Sequence, residues 1–182
     1  MVEELKKRTQ TIDSHINKCL SSSEVCGSEL RQSHYYLGQK LGNQIEKDRH
    51  ILNRKVAVII MMRAGLPFGL GIADAIDKNN DVTILFSPCN ENDFRKYDCV
   101  IVVDAVINTG KTIVDIANQI SDKKVIVATN VISDKYLDNL KGLDIFAIRV
   151  SRHSFVGGNV KKITGNKGPD TGERLFNNAF FK

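Results

Sequence analysis

The sequence predicts an α/β fold: a single domain with a five-stranded, mainly parallel sheet flanked by helices, followed by an irregular C-terminal segment. Three observations predict it. Apolar runs rich in β-branched residues, above all Lys55–Met61, Val100–Val103, Lys124–Val131 and Leu143–Val150, read as strands buried on both faces. Segments of helical character lie between most of them. From Ser151 onward the alternation stops and glycines take over. Strand–helix alternation implies parallel strands joined by right-handed crossovers. The 182 residues suffice for one domain of this kind. The expected division is an N-terminal extension (1–27), a core (28–150) and a tail (151–182).

The elements follow in order. Residues 1–27 are polar, end in Ser21-Ser22-Ser23, and leave room for one short helix around Leu5–Leu20. From Ser28 to Asp48, Leu30, Tyr36 or Leu37, Leu41 and Ile45 recur near helical spacing, with Ser28 as a candidate cap. The strand from Lys55 runs into Met62-Arg63-Ala64-Gly65-Leu66-Pro67, a turn opening a helix through Ile76; Pro67 suits a first helical turn. Asp81–Phe86 is a short strand, and Ser87–Tyr97 a polar loop. Cys99 starts the central strand, Asp104 ends it, and a loop with Thr109 and Gly110 leads to Thr112 and a helix from about Ile113 to Ile120. Ser133–Lys141 is a short helix capped by Ser133 and stopped by Gly142. Leu175 and Phe176 anchor the tail.

Composition bounds the function. No apolar run approaches the length of a membrane span, and Met1-Val2-Glu3-Glu4 lacks a signal-peptide profile, so a soluble cytoplasmic protein is expected. Cys19, Cys26, Cys89 and Cys99 form no C-x-x-C pair and are read as reduced thiols, not metal ligands. The net charge of +5 comes from scattered Lys and Arg, with no aromatic-plus-basic module, and does not point to nucleic acid. A small polyanionic substrate accounts for it.

Three pieces carry candidate chemistry. The first is Asp104 to Thr112. Loop amides and a helix N-terminus suit a phosphate, while the Asp104 carboxylate would repel one and suits sugar hydroxyls or a metal. Ala105-x-x-x-x-Gly110-Lys111-Thr112 also nearly satisfies the P-loop pattern. Against that stand its place past mid-chain, Ala105 in place of the first glycine, and the lack of a downstream strand ending in Asp. Thr109 and Thr112 also read simply as helix caps. The second piece is Met61-Met62-Arg63-Ala64-Gly65, a strand-end loop able to hold a diphosphate by backbone amides and one guanidinium. The third is Gly168-Pro169-Asp170-Thr171-Gly172-Glu173-Arg174-Leu175-Phe176. Alone it reads as a loop, with Asp170 capping a final short helix.

Together the three resemble the type I phosphoribosyltransferase family, and within it the uracil branch. The apolar strand, acid and Thr-Gly loop resemble the family's central signature; the second acid common in the family is Ala105 here, and the uracil branch lacks it too. Arg63-Ala64-Gly65-Leu66 matches that branch's diphosphate loop. Asp170-x-Gly172-Glu173-Arg174-Leu175-Phe176 resembles its C-terminal segment. The resemblance runs from about Glu29 to Phe176. It implies transfer of ribose 5-phosphate from 5-phospho-α-D-ribose 1-diphosphate to a nucleobase, with uracil expected, giving UMP and diphosphate. Amides and hydroxyls of Ile107, Asn108, Thr109, Gly110, Lys111 and Thr112 would cradle the 5′-phosphate, beside Ala105. Asp104 would serve the ribose and the developing cation. Arg63, Ala64 and Gly65 would hold the diphosphate. Magnesium (Mg2+) would bridge diphosphate and ribose oxygens, with Asp170 near the metal or sugar, and Gly168, Gly172 and the tail would face the base. A homodimer is implied as well. Three departures stand out: Lys111 in place of a second glycine, an altered run before Asp170, and a short Ser87–Tyr97 loop. The last two motivate a second reading, a non-catalytic regulator that binds the donor or a nucleotide. A P-loop hydrolase is the third.

Overall fold

β-branched residues crowd poorly in helices and pack well on a pleated surface, and here they build five strands: β1 (Lys55–Ile60), β2 (Asp81–Phe86), β3 (Cys99–Ile107), β4 (Lys124–Ser133) and β5 (Asp144–Ser151). The computed structural model describes residues 12–89, 94–120, 123–152 and 170–177. All strand pairings are parallel, in the order β2-β1-β3-β4-β5. The predicted fold class is therefore the observed one.

Helices cover both faces of the sheet. α1 (Gly27–Arg49) and α2 (Leu66–Ile76) lie on one, and α3 (Lys111–Gln119) on the other. On the first face Val56, Val58, Ile60, Ile101 and Val103 pack with Leu30, Leu37, Ile45, Phe68 and Ile72. On the second Ala57, Ile59, Val100 and Val102 pack with Ile113, Ile116 and Leu140. Two covered faces explain why the strands read as unbroken apolar runs. Of the alternatives Tyr36 and Leu37, it is Leu37 that is fully buried. α1 and α2 approach closely at Gly42, where a Cβ would fall 2.9 Å from the Ile72 carbonyl oxygen. Arg49 closes the far end of α1 with a two-pronged ion pair to Asp144, at 2.5 Å on each side.

The structure corrects several expected boundaries. Residues 12–19 are helical, while 1–11 lie outside the described residues. Ser28 does not cap α1; the N-cap is Cys26, with no side-chain hydrogen bond. α3 begins at Lys111 behind Gly110, so neither Thr109 nor Thr112 is the N-cap residue. The segment after β4 is 3₁₀ (Asp134–Leu140), and Ser133 makes no side-chain cap. β5 was expected to be buried, yet it is half-buried along most of its length because it is an edge strand. Cys19, Cys26, Cys89 and Cys99 form no disulfide. Among the described residues, no helix is long and apolar enough to cross a membrane.

One buried group carries a clear pH dependence. His34 on α1 is 1% exposed, stands edge-on to Phe68 with ring centroids 6.4 Å apart, and neither ring nitrogen has a hydrogen-bond partner. Burial pushes its pKa down to about 3, with Arg174 and Arg149 adding repulsion. A depressed imidazole pKa leaves stability intact above the unfolded value of 6.5 and removes it as pH falls from there toward 3. His34→Leu is therefore expected to flatten the acid limb, gaining about 2–3 kcal/mol over the parent at pH 4.5. Urea melts at pH 4.5 and 7.5 measure it; an unchanged acid slope would show that His34 is not the sensitive group.

Candidate active site

In a parallel sheet the loops after β1 and β3 leave the same edge, and these two strands are neighbours. Both loops that the sequence singles out are therefore side by side. The Met61 amide continues the pairing beyond β1, donating to the Val103 carbonyl at 2.8 Å. The chain then turns through Met62–Arg63, a cis peptide, and the Gly65 amide donates back to the Met61 carbonyl at 3.1 Å. Gly65 lies directly on the central strand. A Cβ there would stand 2.6 Å from the Met61 carbonyl oxygen, 3.0 Å from that of Val103 and 3.4 Å from the Asp104 Cα. Only glycine lets this turn sit flat against Asp104. Ala64 is half-buried and Arg63 exposed.

Asp104 stands one turn of the pleat earlier than the sequence suggests. β3 does not end at it but runs on to Ile107, with Asp104 opposite Thr129, Val106 opposite Val131 and Ile107 opposite Ile132. Ala105 and Ile107 are thus strand residues, 0% and 2% exposed. Of the stretch 107–112 expected to cradle a phosphate, only Asn108–Thr112 lies beyond the strand. Asp104 itself is half-buried. Burial pushes its carboxyl up to about 7, against the hydrogen bonds from the Val106 and Ala105 amides that favour the anion. The Val106 amide reaches Asp104 Oδ1 at 3.4 Å.

Beyond Ile107 the chain reverses within Asn108–Gly110 and enters α3. Gly110 is the N-cap at φ 73°, a left-handed conformation that glycine adopts without strain. Having no side chain, it offers no acceptor to the first-turn N–H groups, and Thr109 Oγ1 reaches the Lys111 amide only at 3.5 Å. Those N–H groups and the positive end of α3 suit an anion. Thr109, Lys111 and Thr112 are exposed around them. Because Ala105–Ile107 stay in the sheet, too few residues remain to wrap a triphosphate as a P-loop does, which removes that reading.

The third piece joins the other two. Asp170 caps α4 (Thr171–Leu175): its Oδ1 accepts from the Glu173 amide at 2.8 Å, and the Asp170 amide donates in return to the Glu173 carboxylate at 2.8 Å. The Asp170 cap is the one expected from the sequence; the Glu173 half completes a capping box. Arg31 Nη1 donates to the Leu175 carbonyl at 2.6 Å and docks α4 on α1. Gly172 then faces the Arg63 turn. A Cβ on it would lie 3.2 Å from Arg63 Nη2, 3.3 Å from Arg63 Nε and 3.3 Å from Asp170 Oδ1. The fold thus brings together Arg63, Gly65, Asp104, Asp170 and Gly172, with the 108–112 loop at the same edge. Gly168 and the glycine-rich run before Asp170 lie outside the described residues, as do 90–93 of the Ser87–Tyr97 loop.

Among the described residues, no group of three or more His, Cys, Asp or Glu side chains could cage a metal. The carboxylates at this edge are Asp104 and Asp170.

Two residues with a part in the site escaped the sequence reading. Asn139 Nδ2 donates to the Thr109 carbonyl at 3.1 Å, and the Leu140 side chain packs against Gly110. Nothing in Asp138-Asn139-Leu140 signals this, since the contact exists only once β3 and β4 pair.

No curated protein sequence matches the chain significantly. Among solved structures it is similar to a hypoxanthine-guanine phosphoribosyltransferase from Bacillus anthracis, crystallised with a HEPES molecule in its active site. The identity is 21%, over 66% of this chain and 78% of that one, with a TM-score of 0.45. A family model described as uracil phosphoribosyltransferase matches residues 20–178. That span holds the Arg63 turn, the Asp104 strand with its loop, and the Asp170 capping box, and on it the chain belongs to the uracil phosphoribosyltransferase family.

Proposed function

We propose that the protein transfers ribose 5-phosphate from 5-phospho-α-D-ribose 1-diphosphate to uracil, forming UMP and diphosphate. Family membership supports phosphoribosyl transfer to a nucleobase. The observation that carries the reading on this chain is the packing of the Gly65 turn against Asp104 while Arg63 meets Gly172. One carboxylate stands beside the Arg63 turn on the strand that leads into a helix N-terminus, an order of groups that suits a sugar phosphorylated at both ends.

The chemistry needs charge placement, not a covalent nucleophile. Positive charge builds at the anomeric carbon as diphosphate departs. In this reading Asp104 accepts from the ribose hydroxyls and faces that charge. The exposed Arg63 guanidinium and the Ala64 amide take the departing diphosphate, while Gly65, its amide held by the Met61 carbonyl, lets the turn lie close to Asp104. The amides of Asn108 to Thr112, with the Thr109 and Thr112 hydroxyls, take the 5′-phosphate, and Lys111 adds a cation beside it. Asp170 and Asp104 are the carboxylates on the metal side; magnesium, when bound, neutralises charge on the leaving diphosphate. A cytoplasmic homodimer belongs to the same reading and is supported by the family alone.

The test is an incubation with the donor, magnesium and a panel of uracil, cytosine, orotate, hypoxanthine, guanine and adenine. UMP and diphosphate are expected with uracil. Product with another base alone would move the specificity. Donor-dependent thermal stabilisation without any product would favour the regulator reading, and neither response would end both.

A further inference from the structure

The 3₁₀ segment Asp134–Leu140 follows β4 and lies beside the N-terminus of α3. Two contacts tie it to the strand-end loop. Asn139 Nδ2 donates to the Thr109 carbonyl oxygen at 3.1 Å. Leu140 fills the space next to Gly110, so closely that a Cβ there would stand 2.7 Å from its Cδ2.

The Thr109–Gly110 peptide is trans, so the Thr109 C=O and the Gly110 N–H point in opposite directions. A side chain that holds the carbonyl toward the 3₁₀ segment therefore turns the amide away from it. Thr109, Lys111 and Thr112, which flank this peptide, are exposed. We propose that Asn139 is a positioning residue for the phosphate loop: by holding the Thr109 carbonyl, it aims the Gly110 amide at the 5′-phosphate of the donor. Leu140 keeps Gly110 seated while this happens. The inference rests on the phosphate-binding reading of residues 108–112 and deepens it.

Neither Gly110 nor the Thr109 hydroxyl does this work. Gly110 carries no side chain, and glycine crosses between backbone regions at little cost. The Thr109 hydroxyl reaches the Lys111 amide only at 3.5 Å, a long contact, and does not touch its own carbonyl peptide. Without Asn139 the 109–110 peptide can rotate and turn a carbonyl oxygen toward the phosphate. A single hydrogen bond controlling one amide is expected to change phosphate affinity about three- to tenfold. Asn139 is exposed, so its removal leaves no cavity.

The experiment titrates ribose 5-phosphate calorimetrically into the wild type, Asn139→Ala and Asn139→Asp, the last being isosteric but unable to donate when ionised. Both variants are expected to melt within about 2 °C of the parent and to bind ribose 5-phosphate about three- to tenfold more weakly. In turnover, KM for the donor is expected to rise by the same factor while kcat and KM for the base hold. Wild-type affinity in Asn139→Ala would overturn the role of Asn139 and leave the phosphate loop standing. No binding of ribose 5-phosphate by the wild type would overturn the phosphate reading beneath it.

Discussion

Asp104→Asn is expected to lower kcat/KM about a hundredfold or more, yet to raise the melting temperature at pH 8. The two effects share one cause. Half-burial on β3, with the Gly65 turn packed at its Cα, pushes the carboxyl up to about 7. A carboxyl raised above its unfolded value of 3.8 adds stability only in its protonated form. That contribution is complete below pH 4, fades between 4 and 7, and is gone above 7. There the ionised carboxylate burdens the fold by about 2–4 kcal/mol, the lower end reflecting its partial exposure. Asparagine keeps the shape and has no charge to bury. Its gain should be small at pH 4.5, about 1 kcal/mol or less, and amount to about 5–10 °C at pH 8. The lost activity follows because an amide cannot stabilise a developing cation as an anion does. Melts at both pH values and steady-state kinetics check the pair of outcomes. A melting temperature that falls at pH 8 would mean that Asp104 is structurally required, and its role at the sugar would lose its support.

Arg174→Met is expected to cost about 3–5 kcal/mol, roughly 10 °C in melting temperature. Arg174 is 5% exposed and lies on α4, two residues past Gly172. Its Nε donates to the Val25 carbonyl at 3.1 Å and its Nη1 to Leu20 at 2.9 Å. Its Nη2 donates to Lys18 at 3.1 Å and to Val25 at 2.8 Å. These carbonyls belong to the end of the 12–19 helix and the link to α1, so one guanidinium sews the N-terminal segment to the C-terminal motif. Methionine replaces much of the apolar volume and none of the donors. The loss therefore reports carbonyls left unsatisfied in a buried place. Since α4 also presents Gly172 to Arg63, KM for the donor should rise in the same variant. Hydrogen exchange at residues 18–25, with thermal melts, tests this. Unchanged protection there would show that other contacts hold the segment.

How much of this was legible depends on whether the cause is local. The capping box of Asp170 and Glu173 spans four residues, and the sequence showed its outline; the Gly65-Leu66-Pro67 helix start was equally plain. The candidate site residues were legible as three separate pieces. Their meeting was not, because the contact of Arg63 with Gly172 closes a loop across most of the chain.

By itself the sequence determined the class of fold, the β1 and β2 spans to within a residue, and the buried face of α1. These follow from periodicity and from side chains within a turn of one another. Tertiary structure alone decided that β3 runs through Asp104 to Ile107, because Ile107 is held by Ile132 on β4. It also decided that apolar β5 is an edge strand, and that Asn139 holds Thr109. The physical reason is common to all three. Strand pairing and the contacts that follow it satisfy backbone groups far apart in the chain, and no local pattern records which groups those will be.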